Sequence, residues 1–327
     1  MLRPALACLH AAAVLALALT GLPLIAGAAD YPTRPITLVV PYAAGGGNDV
    51  IARIVADRMG AGLGQRIVIE NRGGAGGTIA TRQVAKSEPD GYTLLIATSS
   101  LAINPALYPN VGYEPRKDFA PVGLIASSPN VVLVHPSVPA RSIAGLVLLA
   151  KERSGKLDFA STGVGSSVHL AAELFAAMAG VKLNPVPYKG TGPALTDLIG
   201  GHVAIMFSPM AGAIGIMRDS KVVALAVTGP NRSKLFPDLL TVAEAGLPGY
   251  EAVLHYGIVA PAGTPRPVIE KLNAALNAAL ASDDVRQRLS TDGAEPLPSS
   301  PEEYSADIAR EEAKWSEIIR KAGLKAQ

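Results

Sequence analysis

The sequence holds one cysteine, at position 8 of 327, so neither a disulfide framework nor a cysteine-built metal centre is available to it. Charge of either sign is sparse, 29 Lys+Arg against 27 Asp+Glu with no run of one sign, which excludes electrostatically driven nucleic-acid binding. Several chemical signatures are missing too. There is no Gly-x-Ser-x-Gly elbow, no Gly-Lys-Ser/Thr after a glycine loop and no His-Glu-x-x-His. Gly74-Ala75-Gly76 is followed by Gly77, Thr78 and Ile79, so it lacks the third small residue of a dinucleotide fingerprint. His135, His169, His202 and His255 are scattered, and His169 with Glu173 one helical turn on makes two ligands, short of a zinc site. No metal and no cofactor are therefore expected. The absence of a base–nucleophile constellation speaks against an enzyme. Beyond residue 29 no segment is long and apolar enough to span a bilayer.

The first residues that are informative by their presence read as an address. Arg3 and the amino terminus are positive, 11–19 is uninterrupted and apolar, Pro23 breaks it, and Gly27-Ala28-Ala29 offers small residues before Asp30. These features predict a cleavable signal peptide over 1–29. An uncleaved anchor is the alternative; Gly21, Pro23 and Gly27 weigh against it, and Cys8 is badly placed for a lipoprotein site. With the leader removed, 28 Lys+Arg less 27 Asp+Glu leaves +1, and an exported, periplasmic chain without a thiol.

Apolar content of 49% rules out disorder, and 33 glycines in an aliphatic chain suit an α/β protein with many tight turns. Strand-like runs fall at 36–40, 66–70, 93–98, 131–135, 158–161, 203–207, 222–228 and 257–260. Most are continuous Val/Ile/Leu stretches, the pattern of strands buried on both faces. Amphipathic helices are predicted at 50–59, 78–86, 169–178, 193–199, 268–280 and 301–322, the last with Ser300 as N-cap and Gly323 as stop. Alternating elements predict parallel, doubly wound sheets. No single linker halves the chain, which favours two lobes joined by more than one crossing. Trp315 reads as packing rather than ligand stacking.

Small, glycine-rich turns follow several of these strands. Residues 41–49 (PYAAGGGND) join a strand to a helix, and the N–H groups of such a turn form an anion-binding concavity. Asn48 or Asp49 equally suits a helix cap there. Residues 161–169 (STGVGSSVH) repeat the arrangement with hydroxyls; Ser166 and Ser167 are also candidate caps, and His169 faces either a cleft or the core. Turns at 188–192 and 73–77 complete the set. In open parallel sheets, ligands bind beyond the carboxyl ends of strands, where all four turns would lie.

At this point the motifs become recognisable. VPYAAGGGNDVIAR (40–53), ENRGGAGG (70–77), PDGYTLL (89–95), INPALY (103–108), STGVGSSVHLAAELF (161–175), VPYKGTGPALTDLIGG (186–201), TVAEAGLPGYE (241–251) and YGIVAPAGTP (256–265) occur in this order. Together they resemble the extracytoplasmic solute receptors of the tripartite tricarboxylate transporters, the Bug family, from Tyr31 nearly to the C-terminus. The resemblance implies a type II, two-lobed periplasmic-binding-protein fold with two interdomain crossings. One lobe is expected over 30–126 plus 229–327 and the other over 127–228. It implies capture of a small organic acid and delivery to an inner-membrane permease with a large and a small subunit, or to a sensor protein, by a monomer.

The resemblance also implies a site. Backbone N–H groups and ordered waters from opposing lobes would hold the carboxylate. Carried over, one side supplies Ala44, Gly45, Gly46, Asn48 and Asp49, completed by Thr98 and Ser99. The facing side supplies Ser161, Thr162, Gly165, Ser166 and His169, with Gly190 and Thr191 nearby. Two positions depart from relatives. Ser208 stands where many carry an acid, which removes a partner for a ligand ammonium and favours a plain carboxylate over an amino acid. His255 replaces a bulky aromatic and is either a distal hydrogen-bonding wall or an ordinary strand residue.

Overall fold

The computed structural model describes residues 31–108 and 110–322. The leader over 1–29, its cleavage point and Gly323 lie outside the described residues.

Continuous apolar runs form strands, and the glycine turns after them open helices. In chain order the elements are β1 (Ile36–Val40), α1 (Gly47–Leu63), β2 (Ile67–Asn71), a 3-10 turn (Ala75–Gly77), α2 (Thr78–Ala85), β3 (Thr93–Thr98), α3 (Ser100–Leu107), α4 (Pro115–Asp118) and β4 (Phe119–Val134). There follow α5 (Ile143–Glu152), β5 (Asp158–Ser161), α6 (Ser167–Ala179), β6 (Asn184–Pro187), α7 (Thr191–Ile199), β7 (Ile205–Pro209), α8 (Met210–Arg218) and β8 (Val223–Val227). The chain ends with β9 (Val253–Pro261), α9 (Arg266–Ala281), α10 (Asp283–Thr291), β10 (Glu295–Pro296) and α11 (Pro301–Ala322).

The strands lie in the order β2-β1-β3-β9-β4-β7-β5-β6, with β10 and β8 also on β4. The expected parallel pairing holds at the two ends, where β1 runs parallel to β2 and β3, and β5 to β6 and β7. In the middle it does not: β9 is antiparallel to β3 and β4, and β4 to β7 and β8. The reason is that β4 carries the chain from one half to the other. Its first part pairs with β9 as far as Pro129, and from Asn130 it pairs with β7.

This crossing is tied down where it matters. The Thr228 hydroxyl donates to the Ala252 carbonyl at 2.6 Å and accepts the Asn130 N–H at 2.8 Å, so one side chain ties β4 to the end of β8 and the start of β9. Each half has its own core. Val39, Leu95, Ala97, Leu124 and Val259 pack on one side, and Val132, Phe159, Phe175, Phe207 and Leu225 on the other. Helix α11 serves both. Its Tyr304 and Ile308 join the first core, and Trp315 and Ile319 join the second. Trp315 is 2% exposed, so it is a packing residue, as expected.

Candidate functional site

The first glycine turn is shaped from within by Asp49. Its Oδ2 accepts the Gly45 N–H and Arg53 Nε, each at 3.0 Å, and its Oδ1 accepts Asn71 Nδ2, also at 3.0 Å. Burial alone would push the Asp49 carboxyl up, but the Arg53, Gly45 and Asn71 donors outweigh it and hold the group below the usual carboxylate range. Asp49 is thus a brace whose charge is fully engaged. It leaves the turn free to expose its donors. The first helical bond of α1 runs from Val50 N–H to Gly46 C=O at 3.0 Å, so Gly47, Asn48 and Asp49 have N–H groups with no acceptor within the helix. Asn48 is buried and its Oδ1 has no hydrogen-bond partner. Ala44 and Gly45 are exposed on the turn.

The turn at 161–167 is built differently. Ser161 Oγ accepts the Gly163 N–H at 3.1 Å, and Ser166 caps α6 by accepting the His169 N–H at 3.1 Å. Gly165 takes φ 78°, a left-handed conformation that favours glycine. His169 lies behind the turn. Its Nδ1 is 3.2 Å from Ser161 Oγ, its ring stands 5.7 Å from that of Phe159, and Nε2 is 3.8 Å from Glu173. Burial pushes the His169 imidazole down to about 4, so it is neutral at physiological pH and props Ser161 as a core residue. Thr162 is buried beside it.

These turns meet one another. A β-carbon on Gly46 would lie 3.0 Å from Thr191 Cβ, and one on Gly47 would lie 3.1 Å from Pro209 Cβ. Ala43 N–H donates to Lys189 C=O at 3.1 Å, and Gly190 packs against Ala43. The N-termini of α1, α7 and α8 therefore converge. Beside them, Gly163 packs against Gly76, and Gly76 against Val164 and Ser166, which brings the α2 and α6 ends together. Each helix start carries partial positive charge, about half an elementary charge. An anion placed among them would relieve their repulsion and accept their free N–H groups.

Ala44, Gly45, Gly46, Asn48, Asp49, Ser161, Thr162, Gly165, Ser166, Gly190 and Thr191 all belong to these meeting turns. Thr98 and Ser99 end β3 beside them. Thr98 Oγ1 is 3.4 Å from the Ser100 N–H, and Ser99 Oγ accepts the His255 N–H at 3.2 Å. Ser208 is buried in β7 with its hydroxyl on Pro209 C=O at 3.2 Å. The His255 ring is not brought to the turns. Its Nδ1 lies 3.0 Å from Asp307 Oδ2, and it lines a separate cleft of about 960 Å³ with Ser127, Lys234, Glu295 and Arg310. Sequence reasoning passed over Tyr42, Asn71, Ser100 and Tyr108, whose side chains bind the backbone of these same turns or bond one another beside them. Tyr42 and Asn71 lie in or next to glycine turns in the chain, whereas Ser100 and Tyr108 carry no such local mark. Among the described residues no group of three or more His, Cys, Asp or Glu could hold a metal, and no helix is long and apolar enough to cross a membrane.

Residues 51–324 match the model of the family described as tripartite tricarboxylate transporter family receptor. A solved structure of the periplasmic binding protein BugD is 39% identical, covers 91% of this chain and 100% of its own, and superposes with a TM-score of 0.88. An R. palustris protein solved with adipate is 39% identical over 90% of this chain and 99% of its own, TM-score 0.88. MatC from Rhodopseudomonas palustris, with bound malate, is 36% identical over 88% of this chain and 100% of its own, TM-score 0.85. The expected two-lobed periplasmic-binding-protein architecture is therefore the fold of this chain.

Proposed function

The chain belongs to the tripartite tricarboxylate transporter receptor family, and we propose that it is a receptor that closes on a small organic acid and delivers it to a membrane permease with a large and a small subunit. The observation that carries the reading is the convergence of helix N-termini from both halves of the molecule around glycine turns. The one acid on those turns, Asp49, is already engaged by three donors. Such a site takes a carboxylate through N–H groups without an arginine. The adipate and malate bound by two relatives belong to the same chemical class. We place the lobes at 30–126 plus 229–327 and at 127–228, with a signal peptide over 1–29 sending the chain to the periplasm. Ser208, neutral and donating its hydroxyl to its neighbour's carbonyl, gives a ligand ammonium no charged partner, so a plain carboxylate is favoured over an amino acid.

Isothermal titration of the mature protein with adipate, malate, succinate and aspartate tests this. We expect at least one plain dicarboxylate to bind with a Kd of about 1 μM, and aspartate to bind more weakly than succinate. Thermal-shift measurements over the same panel that show no stabilisation by any carboxylate would overturn the receptor reading. Tight aspartate binding without succinate binding would overturn the ligand preference alone.

A further inference from the structure

The turn leading into α6 is held against the opposite half by bonds that involve no ligand. Tyr108, at the end of α3, donates its hydroxyl to Val164 C=O at 2.6 Å. Its ring lies against Gly165, where a β-carbon would stand 2.9 Å from Tyr108 Cε2. A second connection runs through two hydroxyls. Ser167 N–H donates to Ser100 Oγ at 3.1 Å, Ser100 Oγ and the Tyr42 oxygen are 3.1 Å apart, and Tyr42 O–H reaches Gly76 C=O at 3.3 Å. One arrangement of protons satisfies every member: Ser167 gives to Ser100, Ser100 to Tyr42, and Tyr42 to Gly76. The chain closes on itself, because Gly76 packs directly against Val164 and Ser166.

These contacts have a physical task. The halves meet through like helix ends, whose partial positive charges repel when no anion lies between them. Something other than ligand must offset that repulsion if the donors are to be aligned before capture. The Ser167 N–H is also withdrawn from the donors offered to a ligand, since it is spent on Ser100.

We propose that Tyr108 and the Ser100–Tyr42 pair are positioning residues, a latch that holds the 161–167 turn in its binding-ready place and populates a closed form without ligand. The ligand-affinity arm of the test rests on the receptor reading above; the ligand-free arm does not. Spin labels at Lys86→Cys and Lys182→Cys, both exposed and on opposite halves, in a Cys8→Ser background report the separation of the halves by electron double resonance.

The ligand-free parent is expected to show a closed population. Tyr108→Phe and Ser100→Ala should each lower its ratio to the open form about fivefold, the worth of one hydrogen bond. Malate and adipate should bind about fivefold more weakly, through faster dissociation with association unchanged. A merely structural role would shift melting without moving the distances. Distance distributions for Tyr108→Phe identical to the parent overturn the latch, as does a parent that is wholly open without ligand. If no carboxylate binds the parent, the receptor reading fails while the ligand-free distances still decide the latch. Tyr108→Phe keeps the ring on Gly165 and decides the matter if Ser100→Ala does not fold.

Discussion

Replacing Asp49 by asparagine removes the charge that shapes the first turn while keeping its volume. The Asp49 side chain is 6% exposed, and its two oxygens take three donors at 3.0 Å from Gly45, Arg53 and Asn71. Asparagine presents one oxygen and one NH2. With its oxygen towards Gly45 and Arg53, its amide faces Asn71 Nδ2, donor against donor. Turning Asn71 over to answer breaks its 3.2 Å bond to Tyr42 C=O. Arg53 is half exposed, so water replaces most of what it loses. The net cost is one buried neutral bond plus the weakening of a charge-assisted one, about 2 kcal/mol. For a chain of this size that lowers Tm by about 4 °C, read by calorimetry at neutral pH. The pH dependence has a definite sign. The folded carboxyl is held below its ordinary value, so its contribution is present above that value and is lost as pH falls through the lowered one. Asp49→Asn should therefore also erase this part of the acid limb. A melting temperature within about 1 °C of the parent, with an unchanged acid limb, would refute the bracing argument.

Three further outcomes are expected. Gly46→Ala sets a β-carbon 3.0 Å from Thr191 Cβ while φ of −90° accepts alanine, so carboxylate affinity by calorimetry should fall about tenfold with little change in melting. His169 is held neutral by burial, with its folded value near 4 against an ordinary 6.5, so unfolding free energy should be level above 6.5 and decline as pH drops towards 4. Urea melts across that window should show a loss of about 3 kcal/mol, absent in His169→Gln. His255 behaves oppositely. Burial lowers its value, but Asp307 at 3.0 Å together with the Glu311 charge raises it more, so its contribution is present below the ordinary value and is lost as pH rises through the raised one; Asp307→Asn, which removes the nearer of the two, should flatten that alkaline decline in the same melts.

What was legible in the sequence was local. β1, β3, β5 and α11 begin and end where the apolar runs and the Ser300-Pro301 start place them, and Ser300 and Glu303 cap α11 reciprocally at 3.1 and 2.7 Å. The apolar run at 131–135 predicts a strand of five residues whereas β4 has sixteen, because its first part carries Pro121, Gly123, Ser127, Ser128 and Pro129, the composition of a turn. Those residues suit a strand that must bend as it passes between halves, and periodicity has no means of separating the two. Short helices such as α8, with Gly212 and Gly215 inside it, escape for a similar reason.

At the site, the glycine turns could be found because φ and small size are written into single residues. Their partners could not. Ser100 lies 58 residues from Tyr42 and 67 from Ser167, and Tyr108 lies 56 from Val164; only the sheet order brings them together. The two kinds of residue therefore carry different parts of the work. The turns offer N–H donors that recognise any small carboxylate, and these are set by local sequence. How readily the halves bring those donors together is set by long-range hydroxyl contacts that touch no ligand. A change in affinity can then arise at Tyr108 or Ser100 without any change in what the turns recognise.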